Sequence, residues 1–191
     1  MTTEIGTPAR VLLVGKRVRV LDELGTALRA AGMVVREETD IDRATSGIDG
    51  SSVDILALGR TISGAKRERI VGALRGQNPA LRVVDGLAPI PELMVAQVQE
   101  VVSAPDRDAR IVGAGAYERS DNSIVVILRR DAHLDVTLFR LDPMYRVHRT
   151  DVYTGPLAQG RQRLPLGRRV GRGERFLVVH ADHETTVHPL G

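Results

Sequence analysis

Two sets of residues have the types and spacing to do chemistry. In "DILALGRTISG" (54–64) an apolar stretch runs into Gly59 and Arg60, while Gly15 closes "RVLLVG" (10–15) and Asp85 ends the apolar part of "LRVVDG" (81–86). Glycine at the tip of a buried strand lets a backbone turn sharply or approach a ligand closely. An arginine there offers a fork of N–H groups to an anion or a partner's carboxylate. Gly15, Gly59, Arg60 and Asp85 are therefore the candidate ligand-binding residues. The second set lies in "RQRLPLGRRVGRGER" (161–175), where Arg161, Arg163, Arg168, Arg169, Arg172 and Arg175 face a single acid, Glu174. Such a run can dock an acidic protein surface or contact phosphates. It can also lie solvated, paired with acids such as Asp142 or Asp151. These six arginines are the candidate partner-binding residues. The segment has no aromatic side chain for base stacking, so nucleic acid is the least favoured partner.

Other chemistries find no support. His180, His183 and His188 crowd the C-terminus, but residues three apart on a strand point to opposite faces. Convergence with Asp182 or Glu184 would have to occur across the "ADHE" turn, and no metal-ligand spacing is present. His133 and His148 belong to no recognisable triad, and no serine sits in a G-x-S-x-G setting. No catalytic residue, metal ligand or cofactor is assigned, and an enzyme is not expected. "VGKRVRVLDELG" carries one glycine where a dinucleotide fingerprint needs three, and it has no Walker pattern. Asp40 stands where a ribose-binding carboxylate could lie, though alone it reads as a surface acid.

These candidates need elements to hold them. The chain has 191 residues, no cysteine and a net charge of +3, and Lys16 and Lys66 are the only lysines among 27 basic residues. Disulfides and thiolate metal sites are thereby excluded, and the arginine bias is that of a high-GC genome. The opening "MTTEIGTPAR" has no apolar h-region and no later run suits a membrane span, so a soluble, cytoplasmic protein is expected. The first half alternates short apolar runs (10–15, 33–39, 53–58, 81–86) with segments of helical period. Leu21, Leu24 and Leu28 share one helical face, as do Ile70, Val71 and Leu74, and a stripe from Met94 to Val102. That alternation predicts a doubly wound α/β domain over 1–103. Within "SAPDRDA" (103–109), residues 104–109 then read as a polar linker. Every aromatic residue (Tyr117, Phe139, Tyr145, Tyr153, Phe176) lies beyond it. Six or seven short β runs separated by turn residues predict an antiparallel sandwich over 110–191.

The first half resembles the receiver domain of two-component response regulators over about residues 9–103, by element order and hydrophobic pattern. Receivers carry an acidic pair after the first strand, a phosphoacceptor aspartate at the third tip, a hydroxyl after the fourth strand and a lysine after the fifth. Here Gly15, Lys16 and Arg17 follow the first strand, Leu58, Gly59 and Arg60 form the third tip, and Asp85 replaces the hydroxyl. "GLAPIP" (86–91) leads directly into the last helix, so a fifth strand is doubtful. The resemblance implies a degenerate receiver-like or Rossmann-like scaffold without phosphoryl chemistry. The second half, over 123–191, is similar to the Ig-like domain of the flagellar hook-capping protein, through Leu141, Gly155, Leu157, Gly160, Leu164, Gly173, Phe176, Val178 and Val179. That resemblance implies a spacer or docking module. Together they predict a non-catalytic adaptor or regulator that binds another protein and pairs as a homodimer. A strand-tip ligand or nucleotide sensor and a nucleic-acid accessory are the alternatives.

Overall fold

The structure, a computed structural model, describes residues 7–103 and 109–191. The expected linker falls almost wholly outside those residues. The chain divides into two units, Met1–Val98 and Gln99–Gly191.

The first unit carries β1 (Arg10–Val14), α1 (Val18–Ala30), β2 (Val34–Glu38), α2 (Ile41–Ser46), β3 (Ile55–Leu58), α3 (Gly64–Gln77) and β4 (Arg82–Asp85). It also holds most of α4 (Pro91–Val102). The strands form a parallel sheet in the order β2-β1-β3-β4. β1 is buried from Val11 to Val14 and β3 throughout, because helices cover both faces. On one face Leu12, Val14, Leu56 and Leu58 pack with Ile70, Val71 and Leu74 of α3 and Ala44 of α2. On the other, α1 lays Leu21, Leu24 and Leu28 inward, and its Gly25 backs onto the Glu37 side chain. Each such leucine contributes about 1.5–3 kcal/mol of burial. The sheet is thus doubly wound, and it has four strands among the described residues.

Local chemistry sets the helix ends. Ala31 closes α1, and Gly32 follows at φ +85, a left-handed turn that glycine adopts at no steric cost. Asp40 caps α2 by accepting from the amides of Asp42 (2.8 Å) and Arg43 (3.3 Å). One oxygen of its exposed carboxylate, Oδ1, thus serves as the helix cap. Pro91 opens α4 with Glu92 in its first turn, where a missing N–H costs nothing.

The second unit is built from β5 (Val112–Glu118), β6 (Ser123–Leu128), β7 (Ala132–Leu141), β8 (Val147–Leu157), β9 (Gly160–Pro165), β10 (Glu174–Ala181) and β11 (Glu184–Leu190). They form two antiparallel sheets, β11-β10-β7-β8 and β5-β6-β9. Ile124, Val126 and Leu128 of one sheet share a core with Leu134, Val136, Leu138, Leu177 and Val179 of the other. The spacing of two along each strand puts every one of them on an inner face, as a sandwich requires. Glu184, 2% exposed, closes one end: its carboxylate accepts from the amides of Ile111 (2.6 Å) and Val112 (3.4 Å).

The arginine-rich segment 161–175 is not the single loop that its turn-rich composition suggests. Residues 160–165 are strand β9, paired along β6, and only 166–173 form a loop. β9 escapes a hydrophobic reading because Leu164 is its one buried apolar side chain. Its backbone is organised by β6.

Candidate functional site

At the C-terminal edge of the parallel sheet, the tips of β1 and β3 lie side by side. An added Cβ on Gly59 would stand 3.6 Å from the Gly15 Cα. The amides that could cradle an anion are nonetheless engaged. Gly15 N–H donates to the Glu38 carbonyl (3.1 Å), Gly59 N–H to that of Val14 (2.8 Å), and Gly86 N–H to that of Leu58 (2.7 Å). Each glycine simply extends the sheet's ladder by one bond. A Cβ on Gly15 would press on Leu21 at 3.1 Å, so that glycine lets α1 close onto the sheet.

Asp85 is also engaged. Arg67 of α3 binds it through two parallel bonds, Nε to Oδ1 and Nη2 to Oδ2, both 2.8 Å. Arg60 is exposed and has a partner of its own. The four tip residues therefore share one edge of the sheet, where Asp85 and the amides of Gly15 and Gly59 are already hydrogen-bonded. Two neighbours were missed from sequence. Arg67 lies 18 residues from Asp85 and reaches it only through the β3–α3–β4 crossover. Glu38 turns its buried carboxylate back onto the amides of Thr39 (3.0 Å) and Asp40 (2.9 Å), fixing the loop after β2.

The six arginines separate into three groups. Arg161 and Arg163 project from β9 and pair with Glu118 of β5, Arg163 through a 2.9 Å contact, and Arg163 also binds Asp121. Their partners are thus Glu118 and Asp121, not Asp142 or Asp151. Arg175 is buried at 9% exposure, its guanidinium 5.3 Å from the centre of the Tyr117 ring and donating to the Gly171 carbonyl. Burial removes it from any exposed docking set. Arg168, Arg169 and Arg172 remain exposed on the β9–β10 loop, with no side-chain ion pair among the described residues.

That loop is held at both ends. Asn122 donates to the carbonyls of Leu166 (2.8 Å) and Arg168 (3.0 Å), and Arg140 of β7 donates to that of Arg172 (2.9 Å). Gly173, at φ +134, packs directly on the Leu141 carbonyl, where any Cβ would collide. The C-terminal end of the loop is thereby fixed against β7, where the β7–β8 hairpin begins.

The hairpin is the feature that sequence reading passed over. Every residue from Pro143 to Asp151 is exposed, including Met144 (69%), Tyr145 (75%) and Val147 (46%). Asp142 organises the turn: it accepts from the amides of Met144 and Arg146, both 2.9 Å, and from His148 Nε2 at 3.0 Å. The His148 bond, helped by the Arg146 amide, pushes its pKa down to about 2. Tyr145 is held at φ +60, a conformation costly for a bulky side chain and tolerated where something is gained by it. The only advance signal was "LDPMYRV", an apolar pair inside a turn.

The terminal histidines do not assemble. His180 meets Thr185 at 3.0 Å, His188 meets Thr186 at 3.1 Å, and burial pushes both pKa values down. Among the described residues no group of His, Asp or Glu is placed to hold a metal ion, and no helix is long and apolar enough to cross a membrane. No protein-family model matches the chain, and no curated protein matches it.

Proposed function

We propose that the protein is a non-catalytic cytoplasmic adaptor that binds an acidic protein partner through one end of its β unit. The carrying observation is the exposed hairpin tip of Met144 and Tyr145, together with the exposed loop of Arg168, Arg169 and Arg172, whose Arg172–Gly173 end is anchored on Arg140 and Leu141 of the same hairpin. Exposed apolar side chains next to uncommitted cations suit a partner segment that carries an apolar anchor flanked by carboxylates. Aromatic and arginine side chains dominate the energetics of such surfaces. The loop's fixed backbone lowers the ordering cost of docking.

In this reading the α/β unit is a receiver-like scaffold kept for its shape. Its strand order, β2-β1-β3-β4, is that of the flavodoxin-like doubly wound sheet without the fifth strand. The β unit is an Ig-like module. A ligand sensor at the strand tips draws less support, because Asp85 and the amides of Gly15 and Gly59 are already engaged.

Affinity capture from native lysate, with and without nuclease, tests the proposal when wild type is run beside Arg168→Glu/Arg169→Glu and Tyr145→Ser. A stoichiometric protein retained by wild type after nuclease, and lost by both variants, is expected. Retention by the variants removes the surface from consideration. Loss on nuclease treatment, with a steep salt dependence, would transfer the basic loop to nucleic acid. A thermal shift with anions or nucleotides that Arg60→Ala abolishes would revive the sensor.

A further inference from the structure

β8 is the terminal strand of its sheet, and from Val147 to Asp151 it is exposed on both faces. An unpaired edge of this kind presents a row of backbone donors and acceptors to any strand that fits. Which residues present them follows from the turn. Asp142 N–H donates to the Arg146 carbonyl at 3.0 Å, so Arg146 directs its backbone groups at β7. Alternation then turns His148 and Thr150 toward β7, and Val147, Arg149 and Asp151 toward solvent. Val152 is the extra residue of a bulge, which ends this regular stretch.

The side chains add a second constraint. Arg149 lies opposite Phe139 and Asp151 opposite Thr137, so the two share one face of the sheet. An antiparallel partner must match outward-facing residues with outward-facing residues. Centring a two-fold axis on Arg149 sets Arg149 against itself, and centring it on His148 leaves Asp151 beyond the regular strand of the other copy. Centring it on Thr150 sets Arg149 against the second copy's Asp151, twice, with Thr150 facing Thr150. Opposite charges directly across a ladder stabilise it and like charges destabilise it. The strand's charge pattern is therefore complementary to itself in one register.

We infer that a second copy of this chain pairs antiparallel along β8 about Thr150, joining two four-stranded sheets into one. The contact is isologous, as a two-fold interface requires. Its short length makes the dimer weak and concentration-dependent. It goes beyond the adaptor reading, because it uses the strand edge and leaves Arg168, Arg169 and Arg172 free.

Sedimentation equilibrium on the full chain, from low micromolar to near-millimolar, tests this inference. Wild type should pass reversibly from monomer to dimer. Arg149→Asp and Asp151→Arg should each raise the dissociation constant by about tenfold or more, because both cross-strand pairs become repulsive. An equimolar mixture of the two variants should associate again, since each supplies the charges that the other needs. That rescue cannot arise within one chain, because neither variant retains the Arg149–Asp151 contact (3.0 Å) of the wild-type strand. Arg149→Pro gives an independent variant: it removes an outward N–H without breaking a β7–β8 bond, and it should leave a folded monomer by circular dichroism. Wild type monomeric throughout, single variants that dimerise normally, or a mixture that stays monomeric would each overturn the inference. Partner capture by Arg149→Asp through the loop surface is read separately, so failure of one proposal is not failure of the other.

Discussion

The two units use similar charges to different ends. In the α/β unit, Arg10 pairs with Asp54 (2.7 Å), Arg67 with Asp85 (2.8 Å), Arg29 with Glu37 (2.7 Å) and Arg69 with Asp42 (2.7 Å). These pairs tie neighbouring elements of the unit to one another, Asp85 at the tip of β4 among them. In the β unit, Glu118 and Asp121 satisfy Arg161 and Arg163, but Arg168, Arg169 and Arg172 have no such partner among the described residues, and the tip of the β7–β8 hairpin is exposed. Among the described residues the α/β unit satisfies these charges internally, while the β unit leaves three loop arginines and a hairpin tip exposed.

The largest test of that contrast concerns the closed end of the β unit. Glu184→Ala strips the buried amides of Ile111 and Val112 of their acceptor and should lower unfolding stability by about 2–4 kcal/mol in denaturant titration. Wild-type stability in that variant would mean that the β unit does not depend on this carboxylate. A smaller, pH-dependent effect is expected at Glu100. Burial pushes its pKa up from 4.5, against the opposing influence of the Val187 amide and Arg110, while Glu184 adds to the rise. A raised carboxylate pKa favours the folded state below 4.5, and that advantage is lost as pH climbs through the folded value. Glu100→Gln should therefore raise the melting temperature at neutral pH, with the gain fading toward pH 4. A constant gain across that range would show that the burial penalty is not electrostatic. The smallest effect belongs to the strand tips. Asp85→Ala breaks a pair whose partners are both more than a third exposed, and it should cost about 0–1 kcal/mol, most of it gone in high salt. A loss several times larger would mean that the tip cluster is more than a surface closure.

Much of the scaffold was legible in the residues. Unbroken apolar runs such as "VLLV" and "ILAL" announce strands covered on both faces, and leucines at helical spacing announce the helices between them. The change to alternating, aromatic-bearing segments after the linker announced the sandwich. These signals are local, because burial repeats with the period of the element itself. β9 was missed because its outward positions carry Arg161 and Arg163, and its pairing with β6 is not written in its own composition.

For the site residues the sequence supplied the inventory and tertiary structure supplied the partners. Sequence alone determined that Gly59 and Arg60 follow a buried strand, that six arginines crowd 161–175, and that no cysteine or dinucleotide fingerprint exists. It could not reveal that Asp85 is held by Arg67, that Arg161 reaches Glu118 across 43 residues, or that Arg175 is buried beneath Tyr117. Nor could it tell that "MYRV" is exposed while "VTLF", with a similar apolar count, is buried. A charge or an apolar side chain is fixed by covalent structure. Its availability depends on what the fold brings within a few ångströms, and those neighbours come from distant parts of the chain.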